Sequence, residues 1–479
     1  MEDGFLTRDM QGFRGGLDLS APPESISDAC AVRLENCEFS PSDGGLQTVP
    51  GIKAVLQPLP GEDIESFYYN RARREFYFVS KGKMYNTKGF FGYSEIGTLS
   101  GKGVPHYAMF GTTCLIASGG CLQYISDEGY LINVAGSPER CDGVSVRSGR
   151  VIVFSTESDL LQYSAVGDYT SWKNTPNDPS SAQSVNVGYK DSGALIAVDF
   201  LSSAIIAYKE DGQAYKIVGD DPTDSSFACV PISQTAYCAD TDATLSIDSK
   251  AYYLGRAGFM SFTPTNAFGD IAPFDEGLNI NPALVNNIDA NCRLWHVPSR
   301  KQIWIKSQKD SPVYIYHYIP RTQDGRGVFT SRRFTYELHD VVDDGTHVYV
   351  AYGDKIGVLD DSIDTDDGEQ IVTKIVGANR LASEHFILVM KCLLVTHNTI
   401  SGEGSVKVGK KAKPAVFAHE SPTLDTAGMA SSANDCIISS DYSRWFRVGG
   451  GSNRNVQPEI TVTKGSVSIR AFQYKYLEV

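Results

Sequence analysis

No stretch of this sequence reaches the roughly 18 consecutive apolar residues that a bilayer-spanning helix needs, so no transmembrane helix is expected. The first ten residues hold Glu2 and Asp3 and no apolar run. They do not read as a secretory leader, and folding in a cytoplasm is expected. Stretches rich in Ala, Glu, Lys and Leu are scarce, and charged residues make up only 21% of the chain, which leaves strands and turns as the main elements. Positive charge is in deficit, with 43 Lys and Arg against 57 Asp and Glu and a formal net charge of −14. That balance argues against tight wrapping of nucleic acid, which requires phosphate neutralisation, while a phosphate-repelling surface lets DNA slide past. The ten cysteines contain no C-x-x-C. The pairs Cys30/Cys37 and Cys114/Cys121 have no histidines at zinc-ligand spacing, so reduced, mostly buried thiols are expected. The G-x-S-x-G elbow, the P-loop and H-E-x-x-H are all missing.

What is abundant points to β structure: 45 glycines, 25 tyrosines and many short apolar runs. The runs come in pairs across polar turns, the signature of a hairpin. Arg71–Asn86 reads RARR-EFYFV-SKGK-MYN, Gly111–Ile125 reads GTT-CLIAS-GG-CLQYI, and Arg147–Ser164 reads RSGR-VIVFS-TESD-LLQYS. Further copies start at Leu201, Asp248, Ser299 and Asp343. Their spacing of roughly 36 to 54 residues is close to the ~40–50 of a propeller blade. A hairpin alone is marginal in water, and radial stacking of four-stranded blades gives both of its faces a neighbour. The expected fold is therefore all-β, with a propeller of six or seven blades over 52–365. Residues 1–51 read as an extended N-terminal arm. Residues 366–479 lose the repeat and read as a β-sandwich-like platform domain, with the acidic stretch Asp360–Glu369 at the boundary.

Chemistry-bearing residues are few and plain. His339 and His347 stand near Asp340, Asp343 and Asp344, a grouping better read as strand-end polarity than as a metal site. The run Asp360–Glu369 misses the calcium-loop register, because Ile363 stands where an acid is needed. Ser164 to Trp172 has Gly167 and Asp168 in the wrong order for a sialidase Asp-box, and it occurs once. Signatures of WD40 and kelch repeats are absent. No catalytic residue, cofactor or metal is expected. Two basic patches remain as contacts for DNA phosphate or for a partner: the hairpin tip Arg71, Arg73 and Arg74, and the segment with Lys407, Lys410, Lys411 and Lys413. The alternative reading of each is a solvated turn.

Several stretches together resemble the tail-nozzle, or packaged-DNA stabilisation, proteins of short-tailed bacteriophages. The opening is similar in Gly15-Gly16-Leu17, Pro23-Glu24-Ser25-Ile26, Leu34-Glu35-Asn36 and Gly44-Gly45-Leu46 to Pro50-Gly51. The middle is similar in Gly149-Arg150-Val151 to Phe154, Tyr163 to Asp168, Trp172, Asp191 to Ala197, Ala204 to Glu210 and Tyr215-Lys216-Ile217. The likeness covers most of 12–365 in pattern, and the C-terminal part only in kind. It implies a structural, non-enzymatic virion protein assembled in the host cytoplasm. It further implies a homo-hexameric ring below the portal and adaptor rings, which retains packaged DNA, lets it pass without sequence specificity, and carries fibres, a needle or a plug. Two competing readings are a propeller tail protein with glycan-binding or glycan-degrading activity, and a monomeric propeller scaffold.

Overall fold

The computed structural model describes residues 6–42, 44–188, 193–201, 204–219, 221–264, 271–289, 291–309, 312–322, 324–381, 387–396, 402–408, 415–417, 435–436, 444–447 and 455–478. Among them the longest helix is the four-residue Asn281–Leu284. Five four-stranded antiparallel sheets follow one another over 66–98, 106–133, 143–186, 195–233 and 244–275. A sixth set of four strands spans 293–332. The seventh is Leu338–Asp343, Val348–Tyr352 and Lys355–Asp360, and it takes its outer strand from the far end of the chain. Gly51–Leu56 pairs antiparallel with Lys355–Asp360, placing Ile52 opposite Leu359 and Lys53 opposite Val358. These sheets are the seven blades of a β-propeller, closed by a strand that precedes blade 1 in sequence.

The hairpins visible in the sequence are the second and third strands of each blade. They are apolar on both faces because each blade is wedged between two others, and successive side chains of a strand point to opposite faces. Within Glu75–Ser80, Phe76 and Phe78 join Phe67, Tyr85 and Ala351 in the core between blades 7 and 1. Their neighbours Tyr77 and Val79 join Met84, Cys114 and Ile116 between blades 1 and 2. The wedge between blades 7 and 1 is aromatic, with Phe76 4.8 Å from Phe90 and 4.9 Å from Tyr349. Burying each such side chain contributes about 1.5–3 kcal/mol.

The segment expected to run as an extended arm carries paired strands instead. Leu6–Asp9 and Leu46–Thr48 pair with Ser468–Glu478, and Cys30–Glu35 pairs with Thr373–Gly377. The physical reason is that buried backbone N–H and C=O groups need partners, and the C-terminal strands supply them. Two sheets result, and they share one core that holds Phe13, Phe39 and Leu46 beside Ile375, Val406, Ile460, Phe472 and Tyr474. This is the sandwich-like platform, woven from both ends of the chain.

Propeller and platform meet through blades 6 and 7. Gly327–Arg332 and Cys30–Glu35 run parallel and pair at Ser331 and Glu35, which carries the sheet of blade 6 into the platform. Part of the acidic boundary stretch also adds to blade 7, since Thr365–Asp366 runs parallel to Gly51–Leu56. Gly51 permits this approach, because a Cβ there would lie 2.4 Å from the Thr365 carbonyl oxygen. Charge is buried along this seam. Glu38 accepts from Arg300 Nη1 at 2.5 Å and Gln302 Nε2 at 2.9 Å, and Arg332 Nη2 donates to Asp366 at 2.8 Å.

Candidate functional site

The first strand of every blade faces the propeller axis, so its side chains decide what the central bore can do. The bore is a 590 Å³ cavity lined from all seven blades. Tyr68 and Tyr107 stack on one wall with ring centroids 4.2 Å apart, and the Tyr107 hydroxyl lies 3.3 Å from Ser66 Oγ. Opposing polarity comes from Asp340, which accepts from Trp295 Nε1 at 2.8 Å and from the backbone N–H of Phe67 at 2.8 Å and of Val341 at 2.9 Å. Burial still pushes the Asp340 carboxyl above its ordinary range. Asp242 lies 3.4 Å from His106 Nε2 and 3.6 Å from Arg293 Nε. Arg293 also donates to the His339 carbonyl at 2.8 Å.

Asp199 is the most perturbed acid of the bore. It is 4% exposed, and burial raises its carboxyl to about 7 despite the Tyr208 hydroxyl at 3.2 Å. The folded state therefore binds a proton that the unfolded chain releases near pH 4, so this residue's contribution to stability is full at acid pH and is lost as pH rises toward 7. Asp199→Asn is expected to flatten that part of the curve. Thermal melts of both proteins from pH 4 to 8 check it, and an unchanged slope contradicts the assignment.

The residues singled out from sequence do not converge. Arg71 is exposed at one mouth of the bore. Arg73 is spent on blade 2, donating to the Ser126 carbonyl at 2.7 Å and lying 3.6 Å from Asp127. Arg74 is exposed in a left-handed turn with φ of 55°. Lys407 is half-buried on a platform strand opposite Glu459, while Lys410, Lys411 and Lys413 lie outside the described residues. The grouping around His347 is a turn: Asp344 accepts the N–H of Thr346 and His347, whereas Asp340 faces the bore. Among the described residues no three His, Cys, Asp or Glu side chains are grouped to hold a metal ion.

A second recess, an open crevice of 1440 Å³, separates the platform from blades 6 and 7. Its lining is mixed in charge, with Lys53, Arg300 and Lys464 beside Asp361, Asp364 and Glu403. Of the bore residues, sequence reasoning named Arg71, Asp340 and Asp343 without placing them together, and it missed the others. The available signal was the polar residue in the short run before each hairpin, such as His106, Asp199 and Asp340.

No protein-family profile matches this sequence, and no curated protein matches it. Solved structures do. A catalytically inactive virginiamycin B lyase from Staphylococcus aureus, solved with quinupristin, is similar at 10% identity and TM-score 0.46, over 64% of this chain and 98% of that one. The WD40 β-propeller domain of Doa1 is similar at 10% identity and TM-score 0.41, over 65% and 96%. YCF48 bound to D1 peptide is similar at 10% identity and TM-score 0.43, over 65% and 97%. The likeness is one of fold, and the fold is a β-propeller.

Proposed function

We propose that this chain is a structural ring subunit of a short-tailed bacteriophage tail, acting without a catalytic step. Six copies extend the channel below the portal and adaptor rings, retain the packaged DNA and let it leave at ejection. The observation that carries this reading is the weld between propeller and platform. Both chain ends are woven into one sandwich that continues the sheet of blade 6, so the propeller is a fixed appendage of a docking body. Such a subunit can transmit load between stacked rings. The order of turn and strand signatures from Gly15 to Ile217 supports the same reading. So does the net charge of −14, which weakens adhesion to passing DNA at close range. In this reading the platform docks to the adaptor ring and carries the fibres, needle or plug, and the protein resides in the virion tail.

Co-expression with the portal and adaptor proteins of the same genome tests this. Native mass spectrometry is expected to find six copies of the chain on each adaptor ring. A chain that stays monomeric beside an assembled adaptor overturns the reading.

A further inference from the structure

His106 and Asp242 belong to blades that are not neighbours. His106 opens the first strand of blade 2, and Asp242 sits in the short turn Thr241–Ala243 before the first strand of blade 5. In a ring of seven, blades 2 and 5 are as far apart as two blades can be. Their contact at 3.4 Å therefore crosses the axis at the mouth where the inner strands begin. Both partners are held in place. The Thr241 hydroxyl donates to the Ile196 carbonyl of blade 4 at 2.7 Å, and the Asp242 N–H donates to Asp240. Arg293 of blade 6 takes the other Asp242 oxygen. The two side chains that meet are 26% and 20% exposed, so the bridge is reached by water and can be broken locally.

We infer that His106 and Asp242 form a trans-axial latch that closes one mouth of the propeller bore. The bore is then a blind well, open only at the opposite mouth beside Arg71. Any solute that reaches Asp199 or Asp340 enters from that side, unless the latch is released.

Two amides report on the state of the well. The N–H groups of Phe67 and Val341 both end on Asp340, which lines the bore. Hydrogen–deuterium exchange of the full chain is compared for the wild type, His106→Ala and His106→Gln. In His106→Ala, peptides spanning these two amides are expected to exchange about tenfold faster, while the outer strands Tyr93–Thr98 and Ala228–Ser233 keep their rates. His106→Gln retains a side-chain donor for Asp242 and is expected to stay near the wild type. Unchanged exchange at Phe67 and Val341 overturns the latch. Equal acceleration in every blade also overturns it, since the contact would then only brace the fold.

Discussion

Asp366→Ala is expected to lower stability by on the order of 3–5 kcal/mol, through the charge it leaves behind. Its partner Arg332 is 1% exposed and lies at the seam between blade 6 and the platform. The guanidinium stacks over Phe334 at 4.5 Å and Trp304 at 5.9 Å, and its Nε has no hydrogen-bond partner among the described residues. Burial already holds its pKa below the ordinary value, even with Asp366 at 2.8 Å. Once the carboxylate is removed, the buried cation keeps only the weaker attraction of Glu38, a carboxylate already engaged by Arg300 and Gln302. Two controls separate this from a generic effect. Asp361→Ala removes a partner of Arg300 that is 75% exposed, and it is expected to change stability by under about 1 kcal/mol. Arg332→Met combined with Asp366→Ala replaces the pair by apolar volume and is expected to recover most of the loss. Urea denaturation followed by circular dichroism measures all three. A shift for Asp366→Ala as small as that for Asp361→Ala contradicts the account.

The seam also marks the limit of what the sequence discloses. The second and third strands of each blade are legible because both of their faces are buried, which writes apolar runs such as Val151–Phe154 and Ile303–Ile305 around short turns. The first strands face the bore and carry Ser66, His106 or Asp340, so locally they resemble connectors. Pairing between the chain ends is invisible to local pattern, since Leu6 meets Tyr476 through a register that no nearby residue encodes. The same holds for the closing strand. Gly51–Leu56 lies where the expected arm hands over to the propeller, and its place in blade 7 shows only once the unpaired edge of Lys355–Asp360 is seen to need it. Basic tips are legible as charge, but the structure alone reveals that Arg73 is bound to blade 2 while Arg71 is exposed at the mouth of the bore.

Ile52→Asp is expected to open the propeller ring. Ile52 is 3% exposed and packs with Trp304, Ile315, Val350 and Leu359 in the core between blades 6 and 7. Its carbonyl also accepts the Asp367 N–H at 2.9 Å, so the position ties blade 7 to the stretch that leads into the platform. A carboxylate placed there loses an apolar side chain worth about 1.5–3 kcal/mol and must be desolvated or protonated, at a further cost of several kcal/mol. Detaching the strand is the cheaper outcome. Detachment exposes the row of backbone groups on Lys355–Asp360 and frees residues 51–56 for proteases, while blades 2 to 5 keep their own four strands. Limited proteolysis is therefore expected to cut near residues 51–64 first, with a lowered melting temperature. Ile52→Val keeps the packing and is expected to cost about 0.5–1.5 kcal/mol. Lys53→Asp adds an acid one residue away on the exposed side and is expected to stay within about 0.5 kcal/mol of the wild type. If Ile52→Asp and Lys53→Asp are cut at the same rate, ring closure by this strand does not hold the propeller together.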